Sequence, residues 1–209
     1  MEIFYWWCTA IMICIHAGFL AYEMGASRSK NVLASGIKNI LAFAFIVPTF
    51  FFFGWWIYLA FPNGFIPSEA GNAGLPWAME MGPNLADNAS GVFWAAFVLF
   101  AATTASIFSG AVIERIRVGG FVVLAVLLGS VAWILAASWG WHPDGWLVKE
   151  WGYHDVGCAG LIHVIAGFFA LGVLLNLGPR VGRFNADGTA NELPPHNIPM
   201  VLIGLMLII

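Results

Sequence analysis

The sequence predicts an all-α integral membrane protein of five transmembrane helices plus the start of a sixth, and three observations carry that prediction. The 209-residue chain is 61% hydrophobic and 9% charged, with a mean hydropathy of +0.86, whereas an ordinary soluble domain carries roughly 25% charged residues. A water-soluble fold has nothing to coat itself with at that composition. The charges are also clustered: no Asp, Glu, Lys or Arg lies between Glu2 and Glu23, Lys38 and Glu69, Asp87 and Glu114, Arg117 and Asp144, or Asp155 and Arg180. Each of these windows holds the ~20 apolar residues that a helix needs to cross a bilayer.

The first span is expected at roughly residues 3–23. A signal peptide has a basic start and a short apolar core before a cleavage site, but the first basic residue here is Arg28, after the span, so this segment reads as a retained helix. The second span is expected at roughly 39–61, followed by a connector from Pro62 to Asn88 rich in Pro, Gly and Asn, which reads as an ordered external cap or a plain loop. Three more spans are expected at roughly 90–113, 118–139 and 156–178. A sixth apolar run, Ile198 to Ile209, has about half the length a span requires, so the chain is expected to stop inside a helix and to be a fragment, one membrane domain over residues 1–209.

The loops between these spans fall into two sets. One holds Arg28, Lys30 and Lys38, then Arg115 and Arg117, then Arg180 and Arg183; the other holds Lys149 alone. Basic residues mark the cytoplasmic side, which predicts an N-terminus outside the cell or inner membrane. The external set carries Glu69, Glu80, Asp87, Asp144, Glu150 and Asp155, together with Trp77, Trp146, Trp151 and Tyr153. An acidic, aromatic vestibule suits a cation. Five spans is an odd number, so a second copy of the unit following in the chain would insert upside down, as in inverted-repeat transporters. No nucleic-acid partner is expected, because the few basic residues are spread over separate membrane-flanking loops instead of forming a stripe. Cys8, Cys14 and Cys158 form no CxxC pair and read as small apolar packers, with neither a disulfide framework nor a zinc site.

His163 stands out among the polar residues inside the spans. It follows Asp155 by eight residues, which at ~1.5 Å per residue is about 12 Å into a ~30 Å hydrocarbon layer. An ionisable residue near the midplane is expensive there and marks a functional site by default. Ala159, His163 and Gly167 share one helical face, and the small neighbours allow close approach of another helix or a narrow lumen. The alternative is a structural His bonded to a neighbouring helix. His16 is also intramembrane, which raises bis-His haem ligation, although nothing in the sequence sets the two rings opposite each other. His142 and His154 with Asp144 and Asp155 match no strong metal-ligand spacing, and loop polarity accounts for them. Asp155 precedes the fifth span, where its carboxylate can accept the unpaired amides of the helix start and thereby hold nearby carbonyls in place. Trp139, Trp141 and Trp146 gather at the outer end of the fourth span. A Trp face can hold an ammonium ion with ~2 kcal/mol when water is partly excluded, though most tryptophans at this depth are interfacial anchors.

Particular strings add to this. His16-Ala-Gly-Phe-Leu-Ala-Tyr-Glu-Met-Gly, then Ser29-Lys-Asn-Val-Leu and Lys38-Asn, resembles the first helix and first cytoplasmic turn of the Amt/Mep/Rh ammonium transporters. Phe100-Ala-Ala-Thr-Thr and Ser109-Gly-Ala-Val-Ile-Glu-Arg-Ile-Arg resemble the third helix and its cytoplasmic end. Asp155-Val-Gly-Cys-Ala-Gly-Leu-Ile-His163, Leu177-Gly-Pro-Arg-Val-Gly and Pro195-His-Asn-Ile-Pro-Met are similar to the fifth helix and the approach to the sixth. The strings keep family order over nearly the whole chain and stop where the family's second half would begin.

The resemblance implies the first half of an inverted-repeat ammonium transporter fold, a homotrimer with a pore in every subunit, no enzymatic activity, no cofactor, no metal, and docking of a PII-type regulator on the cytoplasmic face. By matching positions, it implies that His163 is the first of two pore histidines and that Asp155 organises the external ammonium site. It further implies that Phe100 gates the pore beneath the vestibule and that Trp141 flanks the bound cation, a match needing a one-residue gap that leaves Trp139 and Trp146 open. Two departures stand out. Ala96 occupies the place of the family's second aromatic, with Phe97 one position later, and Gly157-Cys-Ala replaces the usual Ala-Gly-Gly. The function implied is conduction of ammonia after deprotonation of NH4+; a sensor that binds ammonium without conducting is the alternative. A non-conducting fragment that assembles with another chain and a membrane cytochrome are weaker ones.

Overall fold

The computed structural model describes residues 2–69 and 88–209. Trp77, Glu80, Asp87 and most of the expected Pro62–Asn88 connector lie outside the described residues. Helix α1 runs Glu2–Ala26, α2 Ser29–Ala60, α3 Asn88–Ala111, α4 Val118–Gly140, α5 Trp146–Trp151, α6 Ala159–Leu177 and α7 Ile198–Ile208. The expected spans correspond to α1, α2, α3, α4 and α6, each long and apolar enough to cross a membrane, and α7 is the short sixth run.

Two boundaries differ from expectation. Helix α2 begins at Ser29 instead of residue 39, because Lys38 is no loop charge: it is buried inside the helix with its ammonium 3.3 Å from the Glu23 carboxylate of α1. Helix α6 begins at Ala159, because Cys158 takes a left-handed backbone (φ 57°) that no continuous helix accepts. Three spans also contain a wide, π-type turn, at Phe50–Gly54 in α2, Leu128–Trp133 in α4 and Ala159–Val164 in α6. Such turns shift the register of side chains on a helix and recur at functional sites. In α2 the turn follows Pro48, which lacks an amide donor; the Thr49 hydroxyl donates to the Phe45 carbonyl and lies 2.9 Å from the Ser130 hydroxyl of α4.

Helix α3 is the central post, packed against α1, α2, α4 and α6. Its Ala96, Ala101, Ala105 and Phe108 are buried, and the alanines let neighbouring backbones approach. Helix α7 lies against α1 through facing glycines: a Cβ on Gly18 would stand 2.8 Å from the Gly204 carbonyl oxygen, so neither position has room for a side chain. Asn197 starts α7 by accepting the Met200 amide at 3.0 Å.

The loops α1–α2, α3–α4 and α6–α7 meet on one side of the bundle. Glu114 joins them, accepting from the Arg28 backbone amide (2.7 Å), Arg28 Nε (2.9 Å) and Asn31 (2.9 Å), with Arg180 at 3.7 Å. Helix α5 and the Asp155 loop sit at the opposite end, beside Lys149, which is paired with Asp144. Arg28, Arg115, Arg180 and Arg183 thus lie at one end of the bundle and Lys149 at the other, whereas Lys38, expected with the first set, is inside α2.

Candidate functional site

The site at the Lys149 end is built from the end of α4, the middle of α3 and the start of α6. Helix α4 stops at Gly140, and Trp141 follows with its amide still bonded to the Ala137 carbonyl. That leaves the Trp141 indole directed across the end of the bundle, where Nε1 donates to the Asp155 backbone carbonyl at 3.1 Å. The Asp155 carboxylate points the other way. Its Oδ2 accepts the amides of Gly160 (3.1 Å) and Leu161 (2.8 Å) at the start of α6, and the Tyr153 hydroxyl lies at 3.3 Å. The aspartate is thus a helix cap whose main chain is held against Trp141.

Phe100, one face of α3, meets the Trp141 ring edge-on at 5.6 Å between centroids. Of the three tryptophans at this end, Trp141 is the one brought to Phe100 and Asp155. Trp139 instead donates to the Gly64 carbonyl at 3.4 Å and packs on Phe65 and Trp146. Two residues that sequence reasoning passed over complete the aromatic group. Phe97 is buried 5.9 Å from Trp141, and Trp133 lies 6.2 Å from it. Phe97, the aromatic displaced by one position in the sequence, packs beside Trp141 where the small Ala96 side chain does not reach. Trp133 precedes Trp141 by eight residues, roughly two helical turns, a spacing that marks one face of α4.

His163 is placed apart from this group. It lies in the wide turn of α6, with its amide bonded to the Cys158 carbonyl at 3.2 Å. Its side chain is exposed, on the same face as Ala159, Gly167 and Phe168, and makes no hydrogen bond among the described residues. The structural alternative, a His bonded to a neighbouring helix, describes His16 instead: its Nε2 donates to the Leu99 carbonyl (3.2 Å) and lies 3.4 Å from the Thr103 hydroxyl of α3. His16 is thus turned onto α3, while His163 is exposed on α6.

In the turn after Trp141, the His142 Nδ1 accepts the Asp144 amide at 3.0 Å. Burial holds this imidazole below its usual value, and the hydrogen bond from Lys149 draws the Asp144 carboxyl down. Among the described residues no three His, Cys, Asp or Glu side chains converge on a common point.

A family model described as the Ammonium Transporter Family matches residues 3–209. Ammonium transporter Amt2 of Archaeoglobus fulgidus is 30% identical over 96% of this chain and 43% of its own length. Ammonium transporter Amt1 of Methanocaldococcus jannaschii is 26% identical over 98% of this chain and 48% of its own. Among solved structures, one titled Sensor Amt Protein superimposes with a TM-score of 0.83 at 26% identity, covering 99% of this chain and 51% of that one. Candida albicans Mep2 shares the fold, with a TM-score of 0.73 at 24% identity over 99% of this chain and 45% of its own. The chain spans about half the length of the relatives it matches.

Proposed function

This chain belongs to the ammonium transporter family, a multi-pass membrane protein, and from that premise we propose that it moves ammonia across a membrane after recruiting ammonium at its Lys149 end. The observation that carries this reading is the contact of Trp141 with both Phe100 and the Asp155 carbonyl. An indole face and a phenyl face beside outward carbonyls offer a small cation π-electron density and hydrogen-bond acceptors together.

The chemistry follows from desolvation. Carrying intact NH4+ into a low-dielectric pore costs several kcal/mol even after relaxation, while neutral NH3 gives up only hydrogen bonds. The proposed route holds NH4+ with Trp141, Phe100 and the carbonyls fixed by Asp155, removes the proton there, and passes NH3 through an apolar lumen. His163 serves on that route as proton relay and hydrogen-bond partner. Its exposed imidazole, free of any partner among the described residues, supports the assignment. In this reading the Arg-bearing face is cytoplasmic, the N-terminus lies outside the plasma or inner membrane, and the working unit is a homotrimer open to a PII-type regulator on its cytoplasmic side. No enzymatic step and no cofactor is assigned.

The likeness to a sensor Amt protein favours a second reading, in which the same external site binds ammonium and the protein signals without conducting. Ammonium-evoked current through the full-length protein in a supported membrane separates the two. Conduction predicts a current in the wild type that His163→Ala abolishes or changes in ion selectivity. Ammonium binding without any current assigns the sensor role.

A further inference from the structure

The opposite face holds a second, differently charged pocket. Where α3 ends and α6 gives way to its following loop, a pocket of about 460 Å³ is lined by Arg115, Arg180 and Arg183 together with Leu174 and Phe184. Arg28 stands beside it, donating to the Val181 carbonyl at 3.1 Å. The carboxylate nearest these arginines, Glu114, already receives three hydrogen bonds from Arg28 and Asn31. Arg180 reaches Glu114 only at 3.7 Å. Asp187, the nearest acid along the loop, is turned onto the Thr189 amide and hydroxyl.

The decisive side chain is Arg115, which lines the pocket. Its Nε has no acceptor, and the guanidinium makes no ion pair among the described residues. A guanidinium cannot discharge itself by losing its proton, so a buried donor of this kind calls for an anion. Arg183 commits one nitrogen to the Asn191 carbonyl at 2.6 Å and holds its plane near the Phe184 ring, leaving further donors free. Convergent planar forks of this kind match the oxygens of a phosphate.

We propose that this pocket binds a phosphate group. Its depth points to a phospholipid headgroup as the source: Leu174 belongs to the last turn of a membrane span, while the arginines rim the pocket at the interface, where lipid phosphates lie. A soluble phosphate compound offers the same oxygens from the aqueous side.

The test uses the full-length protein in nanodiscs of phosphatidylcholine alone, of phosphatidylcholine with phosphatidylglycerol, and of phosphatidylcholine with added inorganic phosphate, reading thermal stability and retained lipid by native mass spectrometry. Arg115→Gln and Arg183→Gln are compared with Arg117→Gln, an exposed arginine that does not line the pocket. Each pocket variant is expected to weaken retention roughly tenfold, the scale of one charge-assisted contact, with Arg117→Gln unchanged. Stabilisation by phosphatidylglycerol and not by phosphate assigns the site to lipid; the reverse assigns it to a soluble phosphate. No gain from either anion, or an equal loss in Arg117→Gln, overturns the proposal.

Discussion

Cys158 occupies the left-handed backbone position that starts α6. A side chain there meets the following carbonyl, at about 1 kcal/mol relative to glycine. Cys158→Gly is therefore expected to raise stability by ~1 kcal/mol, read as a higher melting temperature in detergent; an unchanged or lower value removes the strain argument. The substitution also restores the glycine that the family's usual string carries at this place, so the departure noted in sequence has a backbone meaning that no sequence displays. Other single residues were legible to different degrees. Asp155 was readable as a cap because a carboxylate before an apolar run has few other uses, and the structure gives it two α6 amides. Trp141 was singled out over Trp139 and Trp146 by its match to the family string alone, since all three sit at the same depth and differ only in direction once α4 ends. His163 was expected at the midplane, but its isolation from Phe100 and Trp141 depends on the wide turn of α6, which rotates side chains without leaving a compositional trace.

Charge-free windows located all five spans because a run of some twenty apolar residues is a physical requirement of the bilayer, independent of tertiary contacts. The same rule misplaced the start of α2. Lys38 looks like a boundary until Glu23 of α1 is seen beside it, and pairing across elements is invisible to a window. Between elements, the turn carrying Glu114 ties the α1–α2 loop to the α6–α7 loop. Burial pushes this carboxyl up, but hydrogen bonds from Asn31 and Arg28 outweigh it and hold the group below its ordinary value. With the folded pKa below the unfolded one, the stabilisation is full above the ordinary glutamate range, about pH 4.3, and is lost as pH falls through the lower folded value. Acid titration of thermal unfolding is expected to show that loss in the wild type. Glu114→Gln is expected to start roughly 2 kcal/mol less stable at neutral pH and to respond less to acid. Parallel curves for the two proteins mean the carboxylate does not clamp the loops.

At the scale of the whole molecule, the basic loops gather on one face and the Trp141–Asp155 group on the other. With Cys8, Cys14 and Cys158 replaced, a single thiol introduced as Asp187→Cys in the α6–α7 loop is expected to react with an impermeant maleimide only from the cytoplasmic side. Labelling from outside inverts the orientation and moves the proposed ammonium vestibule to the cell interior. The buried Glu23 and Lys38 also bear on how the chain reaches the membrane during synthesis. A lone lysine entering the bilayer interior is opposed by ~2.5–3.5 kcal/mol on insertion scales. Its partner is carried by the helix immediately before it, made only moments earlier by the ribosome. The two helices have reason to leave the translocon together as a neutralised hairpin, and a change to either charge would then be felt in biogenesis, as mis-inserted or degraded chain, before it was felt in transport.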